Sequence, residues 1–448
     1  MDNVFKSFVR YVGFSMVGMV AAAICIFVDY WFISIALGTD GLTAMSLAVP
    51  FFGVAFGTGA MLGVGGGAKY AELRARNENE QANVYFTSTI KIGCVIIIPL
   101  FLVGYFFSTD ISILLGARDH IIPMTASYIR ILLTLSVGFV MYGIFKSFTR
   151  NDGAPRAAMF GSVIFNSMNI LWDYIFVIRL SWGMTGVGLA TTLAATIAFV
   201  FLAIRWLLKK TNFRLIKSRF TMKDGFTILK IGGPVFISEF LYGFVIVAFN
   251  IALLRLEGNV GVAAFGIVSG ISFIVYCILA GLGQGIQPLA SHYYGLRNSE
   301  NLKKTWNYAL IVSIGITALV IVIIFLFTNP ITSVLNAEQD VILAELSNDG
   351  IRIYFTAFVF AGITMVSIAF LSVTSAQTAA LIISTLQNGA LIIPLVFLLS
   401  RMFGVVGVWL SYPVAEFLLV VASLVAVYKA NKYHKKVFSF ESKLMTQD

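Results

Sequence analysis

The sequence predicts an all-α integral membrane protein with twelve transmembrane helices in two six-helix lobes related by a pseudo-two-fold axis. Three observations support this fold class: the apolar composition, the apolar runs of membrane-spanning length, and an internal repeat. Of the 448 residues, 59% are hydrophobic and 12% are charged, and the mean hydropathy is +0.91. A water-soluble domain could not cover so many apolar side chains, so lipid is the expected solvent.

Apolar runs of about 20 residues, the length that crosses a bilayer, occur along the whole chain. The first run, Tyr11 to Leu37, has 27 residues and is too long for a signal peptide, so it is predicted to span the membrane. Twelve such segments are predicted to begin near Tyr11, Ser46, Val84, Pro123, Ala157, Met184, Leu229, Val262, Thr305, Ile351, Ala376 and Val405.

The distribution of basic residues predicts the orientation. With the N-terminus inside, 24 of the 31 Lys and Arg residues fall on the inner side and five on the outer side, which leaves only Lys91 and Arg130 within helices. Both termini are therefore expected in the cytoplasm of a multi-pass protein of the cell membrane. The richest inner loop, Arg205 to Lys230, is interpreted as a solvated orientation signal near anionic lipid, and no nucleic acid partner is expected.

That loop divides the chain into its predicted domains. The predicted parts are an N-lobe (1–208), a cytoplasmic linker (209–228), a C-lobe (229–430) and a cytoplasmic tail (431–448).

The two halves repeat at an offset of 221 residues. Arg76 and Asn77 match Arg297 and Asn298, and Gly183 matches Gly404, while Asp29 falls on Asn250. Because each half has an even number of helices, both halves enter from the same side, which is typical of parallel-repeat transporters with a substrate cavity between the halves.

Four polar residues at a similar depth in the first half form a candidate ion-coupling site. Asp29, Asn169, Asp173 and Thr191 all lie about 8–14 Å below the outer helix ends, at 1.5 Å per residue. Ionisable groups within a span are costly and are functional candidates by default. Oxygen ligands suit Na⁺, in which case Asp29 and Asp173 are the metal ligands, and a buried carboxyl pair also suits a proton. The alternative is a polar contact between helices without ion cycling.

Two glutamates of the second half, Glu239 and Glu416, are predicted near the membrane midplane. Either could pair with a cationic substrate, and the alternative is a structural hydrogen bond to a neighbouring helix. Glu239 follows the helix-loosening Gly232, Gly233 and Pro234 and is the stronger candidate.

Other features point away from enzymes and cofactors. The glycines at 63 and 65–67 follow no strand, so they indicate close helix packing and not a phosphate loop. Cys25, Cys94 and Cys277 lie in apolar runs and are interpreted as small hydrophobic residues. The three histidines lie at or beyond helix ends, which argues against a proton relay or zinc site. No cofactor is expected apart from the coupling ion.

The chain resembles the multidrug and toxic compound extrusion (MATE) family over nearly its whole length. The resemblance rests on four motifs: Val28 to Ile33 together with the segment 41–46, the turn Arg150 to Pro155, Asn169 with Asp173, and the glycines Gly183 and Gly404.

This resemblance implies two six-helix lobes, alternating access, and efflux of cationic lipophilic compounds in exchange for H⁺ or Na⁺. It also implies an ion site in the first lobe formed by Asp29, Asn169, Asp173 and Thr191. Two departures from the family pattern are present. The spacing of Glu239 from Pro234 differs, and the second-half counterpart of the arginine turn, near Leu371 to Gln377, has no arginine.

Three alternatives are weighed against a monomeric drug exporter. A lipid-linked oligosaccharide flippase would be expected to have a more basic cavity, whereas the charges predicted within the membrane are chiefly acidic. A channel would need a continuous polar pore or filter loops. An intramembrane enzyme would need a nucleophile paired with a base.

Overall fold

The computed structural model describes residues 4–217, 221–335 and 341–444, and within these ranges the chain is helical without a strand. Residues 218–220 of the predicted linker and 445–448 of the predicted tail lie outside the described residues. Long apolar segments form helices because each backbone N–H and C=O must find a partner within the segment when lipid surrounds it.

The first half consists of helices joined by short turns. They are α1 (Val4–Gly38), α2 (Asp40–Ala75), α3 (Asn79–Leu114), α4 (Ile121–Thr134), α5 (Ser136–Asn151), α6 (Pro155–Asp173) and α7 (Gly183–Leu207). Gly38, between α1 and α2, has φ of +61°, a left-handed conformation that residues with a Cβ rarely adopt. The sharp turn between these two spans therefore depends on glycine.

The second half continues the same pattern. Its helices are α8 (Met222–Gly258), α9 (Val260–Gly295), α10 (Ser299–Leu335), α11 (Val341–Tyr354), α12 (Ala357–Ser372), α13 (Gln377–Thr385) and α14 (Ile392–Leu444). Gly258 turns α8 into α9 with φ of +62°, as Gly38 does in the first half.

The predicted fold class, an all-helical membrane protein, is confirmed. Within the described ranges, nine helices are long and apolar enough to cross a membrane, and the bent pairs α4–α5 and α11–α12 raise the number to eleven. The segment predicted to begin near Ala376 is broken: α13 leads into a wide helical turn, Leu386–Ala390, and then into α14, which bends at Gly404.

The helix boundaries show the internal repeat directly. Asn79 and Ser299 begin corresponding helices 220 residues apart, whereas Pro155 and Gln377 are 222 apart. Gly183 and Gly404, each with φ of +58°, keep the predicted offset of 221. The offset is therefore not constant, because the turns of the second half differ in length from those of the first.

The helices form two compact units. The N-terminal unit contains Gly13–Phe240 and Ser291–Leu296, and the C-terminal unit contains Leu241–Ala290, the chain from Arg297 onward and the residues before Gly13. Buried aromatic residues such as Phe86 and Tyr128 fill the core of the first unit, and Phe249 and Trp409 fill that of the second. The lobe, linker and tail boundaries predicted from the sequence stay a prediction.

Glycines allow α2 and α8 to approach backbone to backbone inside the N-terminal unit. A Cβ added to Gly65 would lie 2.0 Å from the carbonyl oxygen of Ile228, and one added to Gly232 would lie 2.0 Å from that of Met61. This is the packing role predicted for the glycines at 63 and 65–67.

The chain after α7 forms an ordered strap on the N-terminal unit. The carboxylate of Asp152 accepts hydrogen bonds from the backbone N–H of Asn212 at 2.8 Å and from the hydroxyl of Tyr70 at 2.6 Å. The N–H of Arg214 donates to Asn83 at 2.8 Å, and Phe213 is completely buried among aromatic rings. The sequence analysis did not anticipate this docking, in which polar side chains bind the strap backbone and an aromatic pocket holds Phe213. The basic residues Lys209, Lys210, Arg214 and Lys217 are exposed, as predicted.

Removing the buried ring of the strap should destabilise the N-terminal unit. Phe213→Ala is expected to cost about 3–5 kcal/mol, the usual range for deleting a buried phenyl group. Thermal unfolding of the detergent-purified protein would show this as a lower midpoint. Leu215→Ala is the matched control, because Leu215 is 50% exposed in the same strap, and equal midpoints for the two variants would contradict the docking of Phe213.

Candidate functional site

The N-terminal unit holds a buried pair of carboxyl groups. Asp29 lies on α1 and Asp173 is the last residue of α6; they are 8% and 1% exposed. The two carboxyl groups are close enough to interact electrostatically. Two carboxyl groups this close and this deeply buried do not both carry a charge unless a cation binds them. Without a cation, one of them holds a proton.

Asn169 and a cysteine complete the polar contacts of this pair. The Nδ2 of Asn169 donates to Oδ2 of Asp173 at 2.7 Å, since residues four apart share a helix face. The Sγ of Cys25 lies 3.4 Å from Oδ1 of Asn169 and 3.8 Å from each carboxylate oxygen of Asp29. Cys25 is thus part of the polar cluster, which corrects its interpretation as a small hydrophobic residue. Its i, i+4 spacing from Asp29 was the signal available in the sequence.

Thr191 lies on α7, near a tyrosine that interacts electrostatically with both aspartates. The residue is 5% exposed and its hydroxyl donates to the carbonyl of Val187 at 2.9 Å, so the hydroxyl lone pairs stay available to an ion. Tyr128, completely buried, lies beside Thr191 and interacts electrostatically with both aspartates. No pattern in the sequence pointed to Tyr128.

The backbone changes geometry directly after Asp173. Residues Tyr174–Arg179 form a wide helical turn with five-residue hydrogen bonds such as that from Leu180 N–H to the carbonyl of Ile175. Such turns are rare and often mark functional sites in helices. Within the described residues, no N–H, hydroxyl or thiol donates to Oδ1 of Asp173, which leaves this oxygen available to a proton or cation.

Glu239 lies elsewhere in the same unit, on α8. A Cβ added to Gly57 of α2 would lie 3.0 Å from the Cβ of Glu239, so close helix packing fixes the start of this side chain. Glu239 is half-buried and is attracted electrostatically by Lys146 of α5. It therefore belongs to a cluster different from that of Asp29 and Asp173.

Two basic residues of α5 were misplaced by the sequence analysis. Lys146 and Arg150 had been counted as loop charges, but both lie within Ser136–Asn151, and Arg150 is only 4% exposed. The Nζ of Lys146 lies 5.5 Å from the ring centre of Tyr142. The helix extends past the end of the apolar run in the sequence, because the buried aromatic residue Phe148 follows Lys146 in the same helix.

Glu416 forms a third cluster in the C-terminal unit. It is completely buried, and the Nε2 of Gln387 donates to its two carboxylate oxygens at 2.9 and 3.1 Å. Thr364 and Tyr412 lie near it, and Tyr412 stacks on Tyr354 with ring centres 4.5 Å apart. Gln387 lies in the wide turn Leu386–Ala390, so a second polar cluster also includes such a turn.

The structure therefore brings together Asp29, Asn169 and Asp173 through hydrogen bonds and the thiol of Cys25. Glu239 interacts instead with Lys146, and Glu416 with Gln387 of the C-terminal unit. Among the described residues, no three His, Cys, Asp or Glu side chains are grouped as a metal site would require. Any Na⁺ bound by Asp29 and Asp173 would need the amide and hydroxyl oxygens of Asn169 and Thr191 as further ligands.

Known proteins with similar sequences and structures were identified. The multidrug export protein MepA of Staphylococcus aureus (strain MSSA476) is 27% identical over 430 residues, covering 95% of this chain and 94% of MepA. A multidrug resistance MATE family transporter of the MOP superfamily, solved in an outward-facing conformation, superposes with a TM-score of 0.88 at 21% identity, covering 98% and 97% of the two chains. A mutant of the Vibrio cholerae MATE transporter VcmN gives 0.87 at 20% identity, covering 96% and 97%.

The sequence profile of the MatE family matches residues 3–175 and 234–398. Because this match extends over far more than half of the chain, the resemblance to the MATE family is confirmed. The chain belongs to the MatE family and is, as its sequence predicts, a multi-span membrane transporter and not an enzyme.

Proposed function

We propose that this transporter exports cationic amphipathic compounds across the cell membrane in exchange for H⁺ or Na⁺ by alternating access. Multidrug export is the activity named for the similar staphylococcal proteins. The observation that carries the coupling proposal is the buried pair Asp29 and Asp173, joined through Asn169 and Cys25. It acts as a monomer with both termini in the cytoplasm.

The coupling follows from the electrostatics of that pair. When neither a proton nor Na⁺ is bound, the pair holds negative charge in an apolar core, which is unfavourable. Binding of the ion removes that charge and lets α1 and the wide turn after Asp173 repack. An ion that binds one arrangement better than the other shifts the population, and the affinities for ion and drug become reciprocally linked.

The two glutamates are the proposed counterions of the substrate. Glu239, half-buried beside Gly53 and Gly57 of α2, is accessible to a cationic compound. Glu416 is covered by Gln387 and Tyr412, so a cation reaches it only after these side chains move. Glu239 is therefore the first contact of the two.

Wild-type protein in proteoliposomes should transport ethidium when one ion gradient is imposed and not when the other is. A pH gradient and a Na⁺ gradient are applied separately, and ethidium fluorescence is measured against protein-free liposomes. Transport under one gradient names the coupling ion. No transport of any organic cation under either gradient would contradict the proposal.

One observation favours a second candidate, the lipid-linked oligosaccharide flippase. Lys146 and Arg150 place basic groups inside a helix, and such groups suit a pyrophosphate. Flipping of a fluorescent polyprenyl-pyrophosphate sugar in the same proteoliposomes, without ethidium transport, would support this candidate over drug export.

A further inference from the structure

The thiol of Cys25 lies where the polar atoms of the carboxyl cluster converge. Its Sγ is 3.4 Å from Oδ1 of Asn169 and 3.8 Å from both carboxylate oxygens of Asp29. Cys25 is only 2% exposed, so other atoms of the protein hold the sulfur in this position. The sulfur is thus the common neighbour of three oxygens that come from two helices, α1 and α6.

A hard cation that used these three oxygens would compete with the sulfur for space. Cations of the size of Ca²⁺ and Na⁺ take several oxygen ligands at about 2.3–2.6 Å. An ion that bridged the carboxylate of Asp29 and the amide oxygen of Asn169 would have to displace the sulfur or reach both groups from the far side. The sulfur itself is no substitute for an oxygen, because thiols and thiolates are soft ligands that suit soft metals.

The thiol also fixes the orientation of the Asn169 amide. The Nδ2 of Asn169 donates to Oδ2 of Asp173 at 2.7 Å, and Oδ1 of the same amide faces Cys25. A thiol has a single hydrogen to donate, and the shortest of its three contacts is the one to this amide oxygen. With both ends of the amide engaged, Asn169 presents an N–H and not an oxygen to Asp173.

An ion at the carboxyl pair therefore finds an incomplete set of oxygen ligands. Asp173 is 1% exposed, and within the described residues no donor reaches its Oδ1. A proton needs only one such oxygen, whereas Na⁺ needs several at once. While Cys25 holds the amide oxygen of Asn169 away from Asp173, the residues present suit a proton and do not fit Na⁺.

We propose that Cys25 determines the ion specificity of this site by excluding Na⁺. Its sulfur fills the space beside the carboxylate of Asp29 and keeps the amide of Asn169 turned away from a cation. Cys25 acts through these neighbours, so it is a positioning residue. This proposal rests on the proposed ion-coupled export and names H⁺ as the ion of that exchange.

Binding of Na⁺ to the detergent-purified protein tests the exclusion without any transport. The thermal unfolding midpoint is measured in NaCl and in KCl at equal concentration, since an ion that binds only the folded protein raises the midpoint. The wild type should unfold at the same temperature in both salts. Cys25→Ser replaces the sulfur with a smaller oxygen ligand and should raise the affinity for Na⁺ about tenfold or more, so that its midpoint rises with NaCl concentration. Cys277→Ser, at a buried cysteine of the C-terminal unit, is the matched control and should show no difference between the salts.

Transport in proteoliposomes separates ion specificity from folding and from the proposed function. Wild-type protein should transport ethidium under a pH gradient and not under a Na⁺ gradient, and Cys25→Ser should gain Na⁺-driven transport. Cys25→Ala, which empties the space without adding a ligand, should show the same change to a smaller extent. A wild type that Na⁺ stabilises, or Cys25 variants that respond to Na⁺ no more than Cys277→Ser does, would overturn the proposal. If the Na⁺ binding difference holds while no gradient drives ethidium in the wild type, the export function is wrong and the ion specificity stands.

Discussion

Asp29→Asn is expected to abolish ion-driven efflux while the protein stays folded. The amide has nearly the same shape as the carboxylate, but it takes up no proton and carries no charge to hold Na⁺. The remaining Asp173 would no longer be part of a pair whose charge changes with ion binding. We expect gradient-driven transport to fall by about a hundredfold or more, a loss that corresponds to a few kcal/mol of coupling free energy.

The measurement is initial-rate ethidium efflux from proteoliposomes with the coupling gradient imposed, alongside the thermal unfolding midpoint. Asp110→Asn is the matched control, because Asp110 is an exposed carboxylate on α3 outside the site. Asp173→Asn should behave like Asp29→Asn. An Asp29→Asn variant with driven efflux close to that of the control would show that the pair is only a structural contact.

Gly232→Val should cause the largest loss of folded protein. Its new Cβ would lie 2.0 Å from the carbonyl oxygen of Met61, a backbone atom that cannot move aside as a side chain can. Overpacking in cores usually costs about 1–3 kcal/mol, and here α2 and α8 would have to separate, so we expect about 3 kcal/mol or more.

Size-exclusion chromatography and thermal unfolding of the purified protein would report this loss. Gly315→Val provides the control, since nothing lies within 4 Å of the corresponding Cβ in exposed α10. If both variants gave the same yield and midpoint as the wild type, the close contact between α2 and α8 would not contribute to stability.

The sequence predicted most of the fold because lipid imposes one simple rule on spanning segments. Any apolar run of sufficient length must form a helix to satisfy its own backbone. The same rule says little about where a span bends. The breaks between Thr134 and Ser136 and around Leu386–Ala390 depend on local backbone geometry that hydropathy does not detect.

The candidate site was predictable where depth and spacing determine contacts. Asn169 and Asp173 share a helix face, and Asp29 lies at a similar depth, so their meeting could be anticipated. Cys25, Tyr128 and Lys146 were missed for different reasons. Cysteine and tyrosine are common in apolar cores, and a lysine near the end of an apolar run is usually exposed, so only the packing of neighbouring helices reveals the role of these three.

The unequal turns of the two halves indicate where foreign sequence can be inserted. One residue added inside a helix rotates everything after it by about 100°, which would move buried side chains towards lipid. The turn between α12 and α13, Val373 to Ala376, is one residue longer than its counterpart, Asp152 to Ala154, which is tied to the strap. A short peptide tag or a fluorophore attachment site placed in the longer turn at Ser375, which is exposed whereas Val373 and Thr374 are buried, should therefore report on the transporter without disturbing either helix.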